Sequence, residues 1–121
     1  MPVTPITRLA SAAIAVAIMW FTMATFGPGT PLFWAGLVLP DIALLGGGAS
    51  GALNPAWVPL YNALHTWWTP IAIAFGALIV PLLAPLALGW AFHVAWDRML
   101  GYGLRTPEGL QRHHAAAQPV L

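Results

Sequence analysis

The sequence predicts an all-α integral membrane protein, a single domain built as a bundle of four transmembrane helices. Three observations predict it. Only 6% of the 121 residues are charged, against roughly 25% in soluble globular chains. Hydrophobic residues make up 60%, and mean hydropathy is +0.79. The apolar residues form four long runs broken by Gly and Pro, without the period-two alternation of a barrel strand.

These numbers also exclude several classes. Four Arg and three acidic side chains could not cover the surface of a soluble domain. Intrinsic disorder needs the opposite composition. There is no Cys, so disulfides and thiolate chemistry are out. The formal net charge is +1 with no basic run, so nucleic acid is not an expected partner. The lipid bilayer is, and the seven Trp fit rings that anchor at its interfaces.

Each span needs about 20 apolar residues. The first is expected at about 9–26, after Arg8, and ends at Phe26-Gly27-Pro28-Gly29. A signal peptide is the competing reading of this run. It is disfavoured because the run exceeds a usual h-region and no small-residue cleavage site follows. The second span is expected at about 31–45, with Thr30 as cap and Pro31 in the first turn. It stops at Gly46-Gly47-Gly48, a flexible connection lacking the Lys-Ser/Thr of a phosphate loop. The third is expected at about 57–80 and the fourth at about 82–100, followed by a tail over 101–121 that opens with Gly101-Tyr102-Gly103. Pro81 and Pro85 bound a tight turn and make the last two helices an antiparallel hairpin, while Pro40 and Pro70 are expected to kink theirs. Ala13, Ala17, Ala72 and Gly76 would permit close helix contact. Trp34, Trp57 and Trp96 read as interface anchors, and Trp67 and Trp68 as packing residues.

Arginine sets the orientation. Arg8 precedes the first span, and Arg98, Arg105 and Arg112 lie at or beyond the end of the fourth. The positive-inside rule then puts both termini in the cytoplasm, with the chain in the bacterial inner membrane. This topology brings distant residues to one depth. Asp41 ends the second span, Tyr61, Asn62 and His65 start the third, and His93, Asp97 and Arg98 end the fourth. His113 and His114 follow on the same side. His93 and Asp97 are i and i+4 and share a face, as do Tyr61 and His65. Ionisable groups in a span are expensive and face the bundle interior, so these must pair with one another.

Two readings of the cluster stay open. In one it is a structural hydrogen-bond and salt-bridge network, with Arg98 meeting Asp97 or Asp41 and the His rings meeting Asn62 or Tyr61. Tyr102 would belong to the same network. In the other, two carboxylates and two imidazoles from Asp41, His65, His93 and Asp97 form an N/O ligand set. Such a set suits zinc or another divalent metal, with His114 as a further ligand or a catalytic acid–base group. Conduction is disfavoured because no polar residue marks an exit through the apolar half.

Pro40-Asp41, Leu45-Gly46, Tyr61-Asn62-x-x-His65, His93-x-x-x-Asp97-Arg98-x-x-Gly101-Tyr102-Gly103-Leu104, Glu108-Gly109 and a terminal His resemble one bacterial family. It consists of small integral-membrane proteins known only as a domain of unknown function. The resemblance runs from Pro40 to His114 and makes His114 the counterpart of the family's terminal His. It is weaker toward membrane-bound metal-dependent hydrolases, which also combine Pro-Asp, spaced His and a His/Asp helix. The expected protein is thus a small multi-pass inner-membrane protein whose His/Asp cluster is structural. The alternative is a metal-dependent hydrolase of lipid-derived or amphiphilic substrates, with Arg98 or Arg105 as a phosphate anchor. The small interior of such a bundle is compatible with a homo-oligomer or a membrane partner subunit.

Overall fold

The computed structural model describes residues 4–46, 53–106 and 108. Every regular element among them is helical: α1 (Pro5–Thr25), α2 (Pro31–Val38), a 3-10 segment Leu39–Gly46, a 3-10 turn Pro55–Trp57, α3 (Val58–Leu64), α4 (Trp68–Gly76) and α5 (Leu83–Leu100). The all-α class is as expected. Among the described residues four unbroken spans are not found. One helix, α1, is long and apolar enough to cross a membrane.

Helix α1 begins four residues before the expected span. A capping box explains this: the Thr7 amide donates to Thr4 Oγ1 at 3.2 Å and the Thr4 amide to Thr7 Oγ1 at 2.7 Å, with Pro5 in the first helical turn. Arg8 therefore lies inside the helix, where its Nε donates to the Met99 carbonyl at 3.0 Å. That bond pairs the start of α1 with the end of α5, so the two run antiparallel. The helix ends as expected, with Gly27 left-handed at φ 83°. Thr30 does not cap α2 with its side chain. Its hydroxyl instead reaches back to the Phe26 and Gly27 carbonyls at 3.1 and 3.2 Å.

The second expected span changes type midway, because Pro40 has no N–H to continue the α pattern. The third is divided. Helix α3 stops at Leu64 and α4 starts at Trp68, which puts Pro70 in the first turn of a new helix. There its missing N–H would have had no helical partner anyway, so Pro70 marks a start where a kink was expected. Helix α5 keeps 18 residues but begins at Leu83, with Pro85 in its first turn. It ends in a Schellman motif: the Tyr102 amide donates to the Asp97 carbonyl at 2.9 Å and the Gly101 amide to Arg98 at 3.0 Å, with Gly101 at φ 93°.

Helix α5 is the centre of the packing. The decisive approach is between α2 and α5. A Cβ on Gly36 would meet the Leu86 carbonyl and lie 2.8 Å from the Trp90 nitrogen, and a Cβ on Gly89 would meet the Phe33 carbonyl. Backbone lies on backbone there, which only Gly allows. The residues expected to do this do not: Ala13, Ala17 and Ala72 are exposed. Trp68 is also exposed, so it is not a packing residue. Phe33 lies beside Gly89 and Leu37 beside His93, so α2 and α5 run parallel. Gly76 of α4 lies against Leu83, so α4 returns antiparallel to α5 across the turn at 77–82.

Candidate metal centre

The 3-10 segment after α2, the end of α3 and the last two turns of α5 meet at one end of this arrangement. His65, His93, Asp41 and Asp97 converge there. His65 Nε2 lies 2.9 Å from Asp41 Oδ1 and 3.6 Å from Asp97 Oδ2. His93 Nε2 lies 3.4 Å from Asp41 Oδ1 and 3.3 Å from Asp97 Oδ2. The two Nε2 atoms are 3.2 Å apart. His65 is fully buried, Asp97 is 19% exposed and Asp41 is 42% exposed. The imidazoles thus form the floor, and Asp41 forms the open edge.

Each ring is held by its other nitrogen. His93 Nδ1 donates to the Leu37 carbonyl at 2.7 Å. In an i,i+3 ladder that carbonyl would take the N–H of residue 40, and residue 40 is Pro. The change of helix type thus offers an acceptor, and the glycine contact brings α5 close enough to use it. His65 Nδ1 donates to the Tyr61 carbonyl at 2.8 Å, one helical turn back. The Tyr61 ring also stacks on the His65 ring, with centroids 3.9 Å apart and planes 16° from parallel.

A backbone carbonyl only accepts, so both Nδ1 atoms carry the proton. In the neutral tautomer each Nε2 is then a bare lone pair. The two Nε2 atoms lie 3.2 Å apart, and Asp41 Oδ1 and Asp97 Oδ2 each lie within 3.6 Å of both. Such a set of acceptors can hold a cation among them. A tetrahedral ion with ligands at about 2.0–2.1 Å spaces them about 3.3 Å apart. An octahedral ion with ligands at about 2.1 Å spaces its adjacent ligands about 3.0 Å apart. The observed 2.9–3.6 Å separations bracket both. Asp41, His65 and His93 form a group able to hold a metal ion, and Asp97 Oδ2 lies beside it, 3.6 and 3.3 Å from the two Nε2 atoms.

The chain belongs to the DUF4260 family. This is a domain of unknown function, and its family model matches residues 5–117. No curated protein and no solved structure matches the chain. Membership therefore carries no reaction with it, and the chemistry rests on the geometry.

The other expected site residues have different roles. Arg98 is fully buried, and its Nη2 donates to the His65 carbonyl at 2.6 Å. Its Nη1 reaches the Tyr102 carbonyl at 3.4 Å, so Tyr102 joins the network through its backbone. Asn62 does not meet a His. Its amide brackets the Arg105 backbone, donating to the carbonyl at 3.1 Å and accepting from the amide at 2.7 Å. This lays the Arg105 guanidinium over the outer face of Tyr61, 4.7 Å from the ring centroid. His114 lies outside the described residues.

Sequence reasoning missed Trp90, whose Nε1 donates to the Leu64 carbonyl at 2.8 Å. The signal was its spacing: Trp90, His93 and Asp97 fall at i, i+3 and i+7 on α5.

Proposed function

We propose that Asp41, His65, His93 and Asp97 hold one divalent metal ion, zinc or a first-row neighbour, and that the protein is a metal-dependent hydrolase of amphiphilic substrates at a membrane surface. One observation carries the metal: two imidazoles whose Nδ1 protons are committed to carbonyls face each other through Nε2 at 3.2 Å. A network held by protons alone handles this badly. Protonating both rings sets two N–H groups against each other. Protonating one leaves the lone pair of the other Nε2 facing a carboxylate oxygen, as at the 3.3 Å approach of His93 Nε2 to Asp97 Oδ2. A dication neutralises both carboxylates and gives every lone pair a partner. The backbone carbonyl behind each ring is the usual outer partner of a metal-bound imidazole.

The open edge supports a reactive role. Four protein ligands close the shell of a structural zinc. Here Asp41 is 42% exposed, and a five- or six-coordinate ion reached from that side keeps a position for water. Such an ion supplies a hydroxide-like nucleophile near neutral pH. Arg105, on the outer face of Tyr61, is the phosphate anchor in this reading.

The membrane setting is part of the proposal. Large apolar side chains are exposed along α1 (Leu9, Val16, Trp20) and at the turn after α4 (Leu78, Ile79, Leu82). Such a surface suits lipid better than water. In this reading four apolar segments cross the bacterial inner membrane, two of them as broken helices. The site then lies at the cytoplasmic face with both termini.

The test is metal content of detergent-purified protein by mass spectrometry, before and after dialysis against zinc or manganese. One ion per chain in the wild type and none in His93→Ala is expected. A folded wild type that stays metal-free after both dialyses overturns the reading. Metal-loaded protein is then assayed on acyl ester and phosphoester amphiphiles in mixed micelles. Stoichiometric metal with no turnover on any of them would leave the ion structural and remove the hydrolase.

A further inference from the structure

The gap between α3 and α4 is where His65 sits, and a helix that stops inside a protein leaves carbonyls without partners. Here side chains answer three consecutive ones. Ala63's carbonyl accepts from Thr66 Oγ1 at 3.1 Å and Thr69 Oγ1 at 2.6 Å. Leu64's accepts from Trp90 Nε1 at 2.8 Å. His65's accepts from Arg98 Nη2 at 2.6 Å. The Thr bonds are local, whereas the Trp90 and Arg98 bonds both come from α5.

The same helix carries His93 and Asp97. Arg98 follows Asp97 directly, so its backbone is rigidly tied to one side of the site while its guanidinium holds the main chain of a ligand on the other. The guanidinium is fully buried, which is expensive unless it is well paired. It lies at the C-terminal end of α3, where the helix dipole favours a cation. A buried Arg is a costly way to cap a helix, since Trp90 caps the adjacent carbonyl without a charge.

We infer that Arg98 is a positioning residue for the metal centre: by gripping the His65 carbonyl from α5, it fixes His65 Nε2 against His93 and Asp97 and thereby sets metal affinity. The inference rests on the metal reading above. It goes beyond that reading by placing the control of affinity in a residue that never touches the ion. Tyr61 holds the imidazole at its face and at Nδ1, which sets the plane of the ring. Arg98 holds the backbone from which the ring projects, which sets its distance.

The experiment is zinc affinity by chelator competition on detergent-purified full-length protein, in wild type, Arg98→Met, Arg98→Lys and Trp90→Phe. Removing outer partners of metal ligands typically weakens binding about 10–100-fold. Arg98→Met is expected in that range, with Arg98→Lys recovering part of the loss because it keeps a charged donor. Trp90→Phe removes a neighbouring cap without touching His65, so a loss of under about threefold is expected. Helicity by circular dichroism is read on every variant. If Arg98→Met does not fold, the wild type, Arg98→Lys and Trp90→Phe comparison decides: Lys weaker than Phe supports the clamp. Arg98 variants that bind zinc as tightly as the wild type overturn it and leave the metal centre standing. Equal losses in Arg98→Met and Trp90→Phe also overturn it, because the break would then act as a general fold element. A wild type that binds no zinc removes the metal reading, and the inference with it.

Discussion

Gly89→Ala tests the link between helix packing and the candidate metal centre. The added Cβ would collide with the Phe33 carbonyl oxygen and lie 2.9 Å from the Phe33 carbonyl carbon and 3.0 Å from the Leu37 nitrogen. All three are backbone atoms, so no rotamer change relieves the clash. Restoring ordinary carbon contacts of about 3.5 Å requires α2 and α5 to part by at least about 0.5 Å, and by more at the oxygen. Overpacking of this kind costs about 1–3 kcal/mol. The displaced atoms include the residue whose carbonyl holds His93. The Leu37–His93 bond is 2.7 Å, and a parting of about 0.5 Å already stretches it to about 3.2 Å, the long end of an N–H···O bond. Its weakening adds up to about 1 kcal/mol and loosens the His93 ring. The expected result is destabilisation of about 2–4 kcal/mol, measured by denaturant unfolding in micelles, together with weaker zinc binding. Gly29→Ala is the control, since a Cβ there meets nothing within 4 Å. A Gly89→Ala protein as stable as the control would refute the reasoning, because the close approach of α2 and α5 would then be absent.

Three further outcomes follow from the same geometry. Pro40→Ala restores an N–H that competes for the carbonyls of α2; zinc affinity should fall several-fold while stability changes by less than about 1 kcal/mol, as read by paired competition and unfolding curves. Gly101→Ala places a Cβ at φ 93° and should cost about 1 kcal/mol in unfolding, with metal stoichiometry unchanged. Asp41→Asn and Asp97→Asn each remove one negative ligand and should weaken zinc binding by at least about tenfold; equal affinity for wild type and both variants in the competition assay would detach the carboxylates from the site.

Much of the site was legible before any fold was known. Asp41, His65, His93 and Asp97 could be grouped because ionisable residues are rare in this chain and an alternating topology brings their segments to one end. The i,i+4 spacing of His93 and Asp97 fixed a shared face, and their Nε2–Oδ2 separation of 3.3 Å agrees. Helix ends were legible where Gly or Pro marks them, as at Gly27 and Gly101. The division of the third segment was harder to read. Pro70 signals both a kink within a helix and the first turn of a new one, and only the environment at His65 selects the second.

The sequence alone determined composition, helical class, the positions of the main breaks and the membership of the polar cluster. These depend on hydrophobic patterning and on local caps, and both act over a few residues. The tertiary structure decided what the cluster is. The tautomer of each imidazole depends on which carbonyl lies behind it, and for His93 that carbonyl comes from residue 37. It is reached only because Gly36 and Gly89 let two backbones touch. Arg98 was expected to meet Asp97 or Asp41, and the fold also gives its guanidinium the His65 main-chain carbonyl. Such assignments rest on ångström-scale distances between segments far apart in the chain, which no local pattern encodes.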